Sequence, residues 1–331
     1  SRIFGLPMSR VRVSSPAIGG SFGGKLEMTI EPVASLLSMR TGRPVRLELS
    51  RKQCINATRT RHGSVVYLRT GVKNDGTLVA QDIRIMTNTG AYAGSCMNVL
   101  GALSHKVFKM YKCPNIRFTG QPVYTNTPVG GAMRGYGSPQ AFFGQQRQLQ
   151  KIAKALHISL AELQLKNLVE PDALDPIGFY SLGNPRPLDC LRRGLELAEN
   201  WGPLDDEGGK YAIGAGLAMG AHGNGCFGAH RDQICLMIKM NEDGTCVLYT
   251  GSHDMGNGSV TAQTQIISSI LHIPTGWITV VEADSDACPW NLGDYASHGI
   301  YVAGSAAKKA AEAVARELQK AGISAAVIGK A

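Results

Sequence analysis

The sequence predicts a mixed α/β chain with two domains that combine small mixed sheets, hairpins and flanking helices. Its 331 residues, 44% of them hydrophobic and 18% charged, are enough to form two hydrophobic cores. Short strand-like runs alternate with segments of helical periodicity. Two Asp-Gly-Thr turns, at 75–77 and 243–245, each lie between strand-like runs. This repetition indicates two halves of similar organisation.

In the first half the elements follow from periodicity and turn residues. Apolar spacing predicts a helix over 32–41 that ends at Gly42 and turns Val33, Leu36 and Leu37 inward. The Asn74-Asp75-Gly76 turn predicts a hairpin. The strands of this half are expected at 11–13, 45–49, 64–70 and 78–85. A long helix is expected over 139–156, and Ser159-x-x-Glu162 predicts the start of the next helix.

A polar, glycine-rich segment at 203–210 predicts the domain boundary, which gives domains 1–202 and 203–331. A helix over 188–200 precedes it, and a glycine-rich strand at 214–220 follows. The remaining strands of the second half are expected at 234–240, 246–250 and 277–283. Its helices are expected over 259–272 and from about residue 302.

Charge and cysteine content narrow the function classes. Residues 1–69 hold 12 Lys and Arg against 3 Asp and Glu, while the remainder has 22 of each, so the net charge of +9 belongs to one end. No nucleic-acid-binding motif accompanies it, so we expect this end to face anions or partner subunits, with Arg59 and Arg61 on the surface. No apolar run reaches the roughly 18 residues of a membrane span, and no signal peptide begins the chain. Eight cysteines without CxxC spacing suit a reducing cytoplasm. Because residue 1 is Ser, we expect a fragment or a processed subunit.

Four glycine-rich segments at 19–25, 130–137, 251–258 and 293–304 predict a binding site for a large anionic cofactor. Glycine exposes backbone N–H groups and permits close approach, and Arg134 adds a planar fork for oxyanions. We expect these loops to meet at a cleft. Gly19-x4-Gly24-Lys25 nearly fits a phosphate-binding P-loop, but Leu26 stands where a magnesium-binding hydroxyl belongs. A nucleotide-binding protein therefore stays a minor alternative.

The runs GGSFGGK at 19–25, AMRGYGSPQ at 132–140 and GSHDMGNG at 251–258 resemble the molybdenum-cofactor loops of the xanthine dehydrogenase and aldehyde oxidase family. The run DYAS at 294–297 resembles the fourth loop. All four occur in the family's order and span nearly the whole chain, which would be a middle portion of the molybdenum subunit. The resemblance implies a molybdopterin-type cofactor, with the cytosine dinucleotide form left open, and hydroxylation with water-derived oxygen.

The resemblance also assigns residues. Phe22, Arg134 and Ala296 match neighbours of the molybdenum that are not side-chain ligands. Further matches to cofactor-binding positions are Gly20, Gly23, Ala132, Met133, Gly135, Gly256, Asn257, Gly258 and Ser297. Asn257 stands where the family usually has glutamine. Tyr136 matches an aromatic that stacks on planar substrates, and Leu26 replaces a glutamate of the purine-hydroxylating members, which argues against xanthine.

The family's general base is a glutamate expected outside this chain, so no catalytic residue is assigned within it. The partners implied are the rest of the molybdenum subunit, an iron–sulfur subunit and an FAD subunit, besides a planar heteroaromatic or aldehyde substrate. Without its base the isolated chain is expected to be inactive. A structural or assembly role, with no cofactor bound by this chain alone, is the alternative.

Overall fold

The computed structural model describes residues 1–200, 213–226 and 231–323. The helices within these ranges are α1 (Glu31–Thr41), α2 (Arg51–Ala57), α3 (Cys96–Val107), α4 (Ser138–Ala155), α5 (Leu160–Asn167), α6 (Pro187–Glu199), α7 (Ser259–Leu271) and α8 (Gly299–Lys320). The strands are β1 (Thr60–Arg61), β2 (Ser64–Val72), β3 (Leu78–Gly90), β4 (Asn115–Tyr124), β5 (Gly130–Gly131), β6 (Leu236–Met240), β7 (Cys246–Thr250) and β8 (Ile278–Glu282). They form three small sheets, so the fold is mixed α/β, as the sequence predicts.

The chain divides into two compact units. The first unit joins Ser1–Leu47 to Gly223–Ala331, and the second unit is Glu48–His222. The boundary predicted between residues 202 and 203 lies outside the described residues. Across the part of the chain that the structure describes, no helix is long and apolar enough to cross a membrane.

The second unit contains a three-stranded sheet in the order β2-β3-β4. Strands β2 and β3 form an antiparallel hairpin in which Leu68 faces Ile83. Strand β4 pairs in parallel with β3, and α3 makes the crossover that a parallel pair requires. Gly76, at φ 84°, occupies the left-handed position of the hairpin turn. Ile83 and Ile85 are each 1% exposed and pack on α3, which fixes the inner face of the sheet.

The first unit repeats this topology with β6-β7-β8. Strands β6 and β7 form the antiparallel hairpin, β8 pairs in parallel with β7, and α7 is the crossover. Gly244, at φ 81°, takes the same turn position as Gly76. In each unit a long helix follows the last strand of the three-stranded sheet. This helix is α4 in the second unit, where β5 comes between, and α8 in the first unit. The two halves therefore share one organisation, as the paired Asp-Gly-Thr turns indicate.

Small residues allow α8 to approach α7 closely. Ala303, Ala307 and Ala311 are fully buried, spaced at four-residue intervals along one side of α8. Leu271 and Ile267 of α7 belong to the same core cluster. The core of the second unit is built instead on the inner face of α4, where Leu149 is 1% exposed.

Several sequence predictions are wrong. No strand forms at 11–13, 45–49 or 214–220, all of which are described, because a suitable alternation of side chains does not by itself supply a hydrogen-bonded partner strand. Helix α1 forms, but Val33, Leu36 and Leu37 are 51%, 45% and 44% exposed. Helical spacing identified an apolar face, yet none of the described residues buries it.

Candidate functional site

Strand β1 holds the loop that carries Arg134 in place, through strand pairing and through the side chain of Arg61. Strand β5 pairs in parallel with β1, with Arg61 opposite Gly131. From this position Arg61 Nη2 donates to the carbonyl oxygen of Arg134 at 2.5 Å, and its Nη1 donates to Gln140 Oε1 at 3.3 Å. A Cβ atom on Gly131 would lie 2.6 Å from Arg59 Cδ. Arg59 and Arg61, which were expected on a surface that meets another subunit or domain, are half-buried and contact the Arg134 loop.

Two further basic side chains hold the same loop. Lys106, at the end of α3, donates from Nζ to the carbonyl oxygens of Gly135 at 3.3 Å and Tyr136 at 3.2 Å. Its Nζ also lies 5.7 Å from the centroid of the Tyr136 ring. Burial lowers the pKa of Lys106 to about 8. Burial, and then the charge of Lys106, lower the pKa of His222, which hydrogen-bonds to Gly135. Cationic groups thus bind three consecutive carbonyls from residue 134 to residue 136.

Strained backbone is concentrated at the residues that the family resemblance selects. Only nine non-glycine residues in the described ranges have positive φ, and four of them are Phe22 (53°), Tyr136 (42°), Ala296 (53°) and Ser297 (55°). Left-handed backbone at non-glycine residues is unfavourable and clusters at functional sites. These loops therefore hold unfavourable backbone, as five other connecting positions in the described ranges also do.

The 251–258 loop ends at the start of α7. Asp254 Oδ1 accepts from the backbone N–H groups of Gly256 at 2.8 Å and Gly258 at 3.3 Å, so its carboxylate stabilises the turn. Gly258, at φ 69°, is the N-cap of α7 and provides no side-chain cap. His253 Nε2 lies 3.4 Å from Ser15 Oγ, and its Nδ1 lies 3.8 Å from Glu282 Oε2.

Asp294 joins the 251–258 loop to the 293–297 loop. Its carboxylate accepts from Ser252 Oγ at 3.1 and 3.2 Å and from the backbone N–H of His253 at 2.5 Å. Ala296 accepts a hydrogen bond from the N–H of Gly225 at 2.9 Å. The structure thus brings two of the four predicted loops of the chain into direct contact within the first unit.

The segment that leads to the 19–25 loop is attached to the same unit. Arg12 forms a bidentate ion pair with Asp284, with Nη2 2.5 Å from Oδ2 and Nε 3.1 Å from Oδ1. Ser14 forms an antiparallel bridge with Asp284. Further along this segment, Phe22 is 61% exposed. Its ring packs over Gly20, where a Cβ atom would lie only 2.6 Å from a ring carbon. The aromatic ring is therefore presented on a glycine-rich turn.

The remaining predicted site residues differ in exposure. Ala132 is buried, Met133, Gly135 and Tyr136 are half-buried, and Arg134 is exposed. Asn257 is exposed, and its Oδ1 accepts from the N–H of Ser259 at 3.3 Å. Leu26 is 40% exposed. In the loops of the first unit, Gly23 and Gly256 have φ of 98° and 96°, so glycine is required there.

The described residues around 19–25 do not have the strand–loop–helix arrangement of a P-loop. Residues 19–27 form turns with Gly24 N–H donating to Ser21 and Leu26 N–H donating to Gly23, and no strand of the described chain precedes them. Helix α1 begins only at Glu31. A P-loop wraps phosphate by joining a strand directly to a helix, so the nucleotide-binding alternative loses its structural support.

Lys106, His222 and Asp294 hold the loops, a role that was not predicted from the sequence. Their partners are far along the chain, at separations of 29 residues or more, and only Asp294 lies within a quoted motif. Lys106 alone had a usable signal, because it lies in the apolar, low-charge run 96–108 that forms α3.

Comparison with known proteins identifies the family of the chain. Two models, each described as a molybdopterin cofactor-binding domain, match residues 1–168 and 197–327. A putative xanthine dehydrogenase molybdenum-binding subunit from Escherichia coli is 33% identical over 311 residues, which are 92% of this chain and 41% of that protein. The chain thus spans about two fifths of that relative.

Solved structures show the same fold. Aldehyde oxidoreductase from Desulfovibrio gigas superposes with a TM-score of 0.80 at 25% identity, over 96% of this chain and 37% of that one. Quinoline 2-oxidoreductase from Pseudomonas putida 86 gives a TM-score of 0.83 at 21% identity, over 95% and 42% of the two chains. The chain belongs to the molybdopterin cofactor-binding domains of the xanthine dehydrogenase and aldehyde oxidoreductase molybdenum subunits.

Proposed function

We propose that this chain is the cofactor-binding core of a molybdenum hydroxylase that acts on a planar heteroaromatic compound or an aldehyde. The observation that carries the proposal is the coincidence of strained backbone with the family's loops. Phe22, Tyr136, Ala296 and Ser297 are held at positive φ, and each lies in a loop that matches a molybdenum-cofactor motif. Such backbone is energetically unfavourable, and it clusters at functional sites, where the shape of the loop has a use.

The donor set fits a large anionic cofactor. Helices α4 and α7 have Gly137 and Gly258 as their N-caps, and side-chain oxygens of Asp254 and Asn257 already accept from N–H groups at the start of α7. Helix N-termini of this kind favour phosphate and other anions. In the second unit, Arg61 and Lys106 add positive charge around the Arg134 loop. These features suit the pyrophosphate of a dinucleotide form of the cofactor, and cytosine is our proposal for its base.

Each cofactor loop has a proposed task. Phe22 and Gly23 would shield one side of the molybdenum, with Gly20 giving the Phe22 ring its space. Arg134 would lie beside the metal and attract anionic ligands, while small Ala296 permits close approach. The remaining contacts to the pterin and its phosphates are assigned to backbone or side-chain groups of Ala132, Met133, Gly135, Gly256, Asn257, Gly258 and Ser297. When bound, the cofactor would supply the oxygen-transfer and redox chemistry.

The substrate side is assigned to Tyr136 and Leu26. The ring of Tyr136 is positioned through Lys106, which contacts both its carbonyl and its aromatic face. An aromatic ring held in this way can stack on a planar substrate and orient it. Leu26 offers no hydrogen bond to a polar ring nitrogen. We therefore propose that simple heterocycles or aldehydes are better substrates than xanthine.

The general base is assigned to the rest of the molybdenum subunit, because none of the matched motifs here contains it. Electrons would pass to an iron–sulfur subunit and then to an FAD subunit. We place the protein in the cytoplasm, in keeping with eight cysteines that are all free thiols.

Cofactor loading tests the proposal against the structural alternative. The 331-residue chain is coexpressed with cofactor-synthesis enzymes, purified, and analysed for molybdenum and for fluorescent oxidised pterin. We expect near-stoichiometric molybdenum in the wild type and a loss of about tenfold in Arg134→Ala, since one charged hydrogen bond contributes roughly 1.5–3 kcal/mol. Arg192→Ala, on the exposed side of α6, is the matched control. A folded wild-type chain without molybdenum or pterin would support the structural role instead.

A further inference from the structure

A cluster of three metal-binding side chain types lies in the first unit, behind the 293–297 loop. The Cys226 sulfur, a carboxylate oxygen of Asp232 and a ring nitrogen of His298 all lie within 4.8 Å of one another. Cys226 and Asp232 are half-buried, and His298 is 4% exposed. Cys226 and Asp232 lie six residues apart in the segment before β6, and the fold brings His298 to them from a position 66 residues further along the chain.

The orientation of His298 leaves one ring nitrogen directed into this cluster. Its Nε2 lies 3.0 Å from the carbonyl oxygen of Gly293, so Nε2 carries the hydrogen and donates it. In the neutral ring Nδ1 then presents a lone pair. Nδ1 lies 2.9 Å from Asp232 Oδ1, but without the alignment of a hydrogen bond, so it has no hydrogen-bond partner among the described residues. A buried nitrogen of this kind is normally matched by a protein group, an ordered water or an ion.

The surrounding contacts have the form of a metal site's supporting shell. Metal-binding histidines usually donate their second ring nitrogen to a carbonyl or carboxylate, as His298 does to Gly293. The carboxylate of Asp232 is oriented by the backbone N–H of Cys226, at 3.1 Å from Oδ2 and 3.3 Å from Oδ1. The His298 ring and the Asp232 carboxylate therefore each have a fixed direction before a metal arrives.

We propose that Cys226, Asp232 and His298 form a binding site for Zn²⁺. Thiolate, imidazole and carboxylate together suit zinc, whereas Mg²⁺ and Ca²⁺ prefer oxygen ligands alone. Tetrahedral zinc with bonds of about 2.0–2.3 Å separates its ligand atoms by about 3.3–3.5 Å. The observed 2.9 Å between Nδ1 and Oδ1 needs only a small opening to reach this geometry. Three protein ligands leave a fourth position for water.

This site would fix the 293–297 loop to the segment before β6. His298 is the N-cap of α8, and Gly225, beside Cys226, already donates to Ala296 at 2.9 Å. A metal bridging Cys226 and His298 would strengthen that connection. The inference uses only residues of this chain, so it stands or fails independently of molybdenum binding.

Metal titration of the purified full chain tests the site. We expect one equivalent of Zn²⁺ to bind and to raise the melting temperature, because a metal that binds the native state stabilises it. With Co²⁺ as the spectroscopic probe, a thiolate-to-metal charge-transfer band should appear, and added Zn²⁺ should displace it. Failure of the wild-type chain to bind either metal stoichiometrically would overturn the proposal.

Substitutions identify the ligands. Cys226→Ser should remove the charge-transfer band, and His298→Gln should weaken Zn²⁺ binding at least tenfold. Cys235→Ser removes an exposed thiol in the same unit and should leave both readouts unchanged. A band that persists in Cys226→Ser but disappears in Cys235→Ser would also overturn the assignment. Circular dichroism on each variant checks that the chain is folded, and the wild-type titration decides the matter if a variant is not.

Discussion

At the scale of single residues, Lys106 shows how the second unit combines burial with positive charge. The side chain is half-buried at the end of α3, and it donates hydrogen bonds to two backbone carbonyls of the Arg134 loop. Burial disfavours the ammonium form and lowers the pKa to about 8 from an ordinary value of 10.5. The hydrogen bonds from Lys106 to the loop carbonyls therefore offset the free-energy cost of partly burying its ammonium group.

The lowered pKa predicts a specific pH dependence of stability. Between about pH 8 and 10.5 the native chain binds fewer protons at Lys106 than the unfolded chain does. Stability contributed by this group therefore rises with pH in that window. We expect the difference in free energy of unfolding, wild type minus Lys106→Met, to increase from pH 8 to pH 10 in urea titrations. An equal trend with Lys308→Met, on an exposed side chain of α8, would contradict this assignment.

At the scale of elements, the short pairing of β1 with β5 decides the shape of the Arg134 loop. The two strands are joined at only two residue pairs, Thr60 with Gly130 and Arg61 with Gly131. Close approach is possible because position 130 has no side chain. A Cβ there would overlap the ring of His62, which is 2% exposed and fixed by a 2.8 Å contact between Nδ1 and the Asn88 carbonyl.

Two glycine-to-alanine changes should therefore have opposite effects on stability. Gly130→Ala should destabilise the chain by about 1–3 kcal/mol, because neither the His62 ring nor the backbone can move freely. Gly101→Ala, in the interior of α3 where a Cβ meets open space, should stabilise it by about 0.5–1 kcal/mol through a lower backbone entropy in the unfolded state. Chemical denaturation measures both. Equal effects at the two positions would show that the β1–β5 contact is not tightly packed.

At the scale of the whole molecule, substrate choice tests the proposed role of Leu26. A site that hydrogen-bonds a substrate discriminates strongly against compounds that lack the partner group, while an apolar site does not. In the assembled enzyme, we expect Leu26→Glu to raise kcat/KM for xanthine relative to a simple aldehyde by at least roughly tenfold. Leu26→Met, which keeps an apolar side chain, is the control. If wild-type enzyme already prefers xanthine, some residue other than Leu26 selects the purine.

The sequence predicted the elements that depend on local signals. The two hairpins follow from their Asp-Gly turns, α5 begins at the predicted Ser159–Glu162 capping box, and α4 and α7 follow the glycine loops. Helix α3 and strand β4 escaped prediction because their stability comes from the crossover against β3 rather than from a strong local pattern. The strand expected at 214–220 does not form, since its glycines provide no side-chain surface for packing.

The loops of the candidate site could be predicted from the sequence, but the side chains that hold those loops in place could not. Loop motifs are contiguous and were located by residue, whereas Asp294 and Arg61 act on partners 41 and 73 positions away. The exposed apolar face of α1 was also beyond prediction, because periodicity indicates which side is apolar and not what covers it. The zinc cluster joins positions 226, 232 and 298, a spacing that matches no metal motif.

The discontinuous first unit has a consequence for how the chain is made. Synthesis proceeds from the N-terminus, so Ser1–Leu47 leave the ribosome long before the rest of their own unit. Arg12 must wait for Asp284, which is 272 residues later, whereas Glu48–His222 forms a continuous stretch and can fold during translation. The loop that bears Phe22 is therefore synthesised before Glu48–His222, although its own unit is completed only after that stretch. The segment that leads to this loop consequently gains its attachment to the first unit only after translation has passed Asp284.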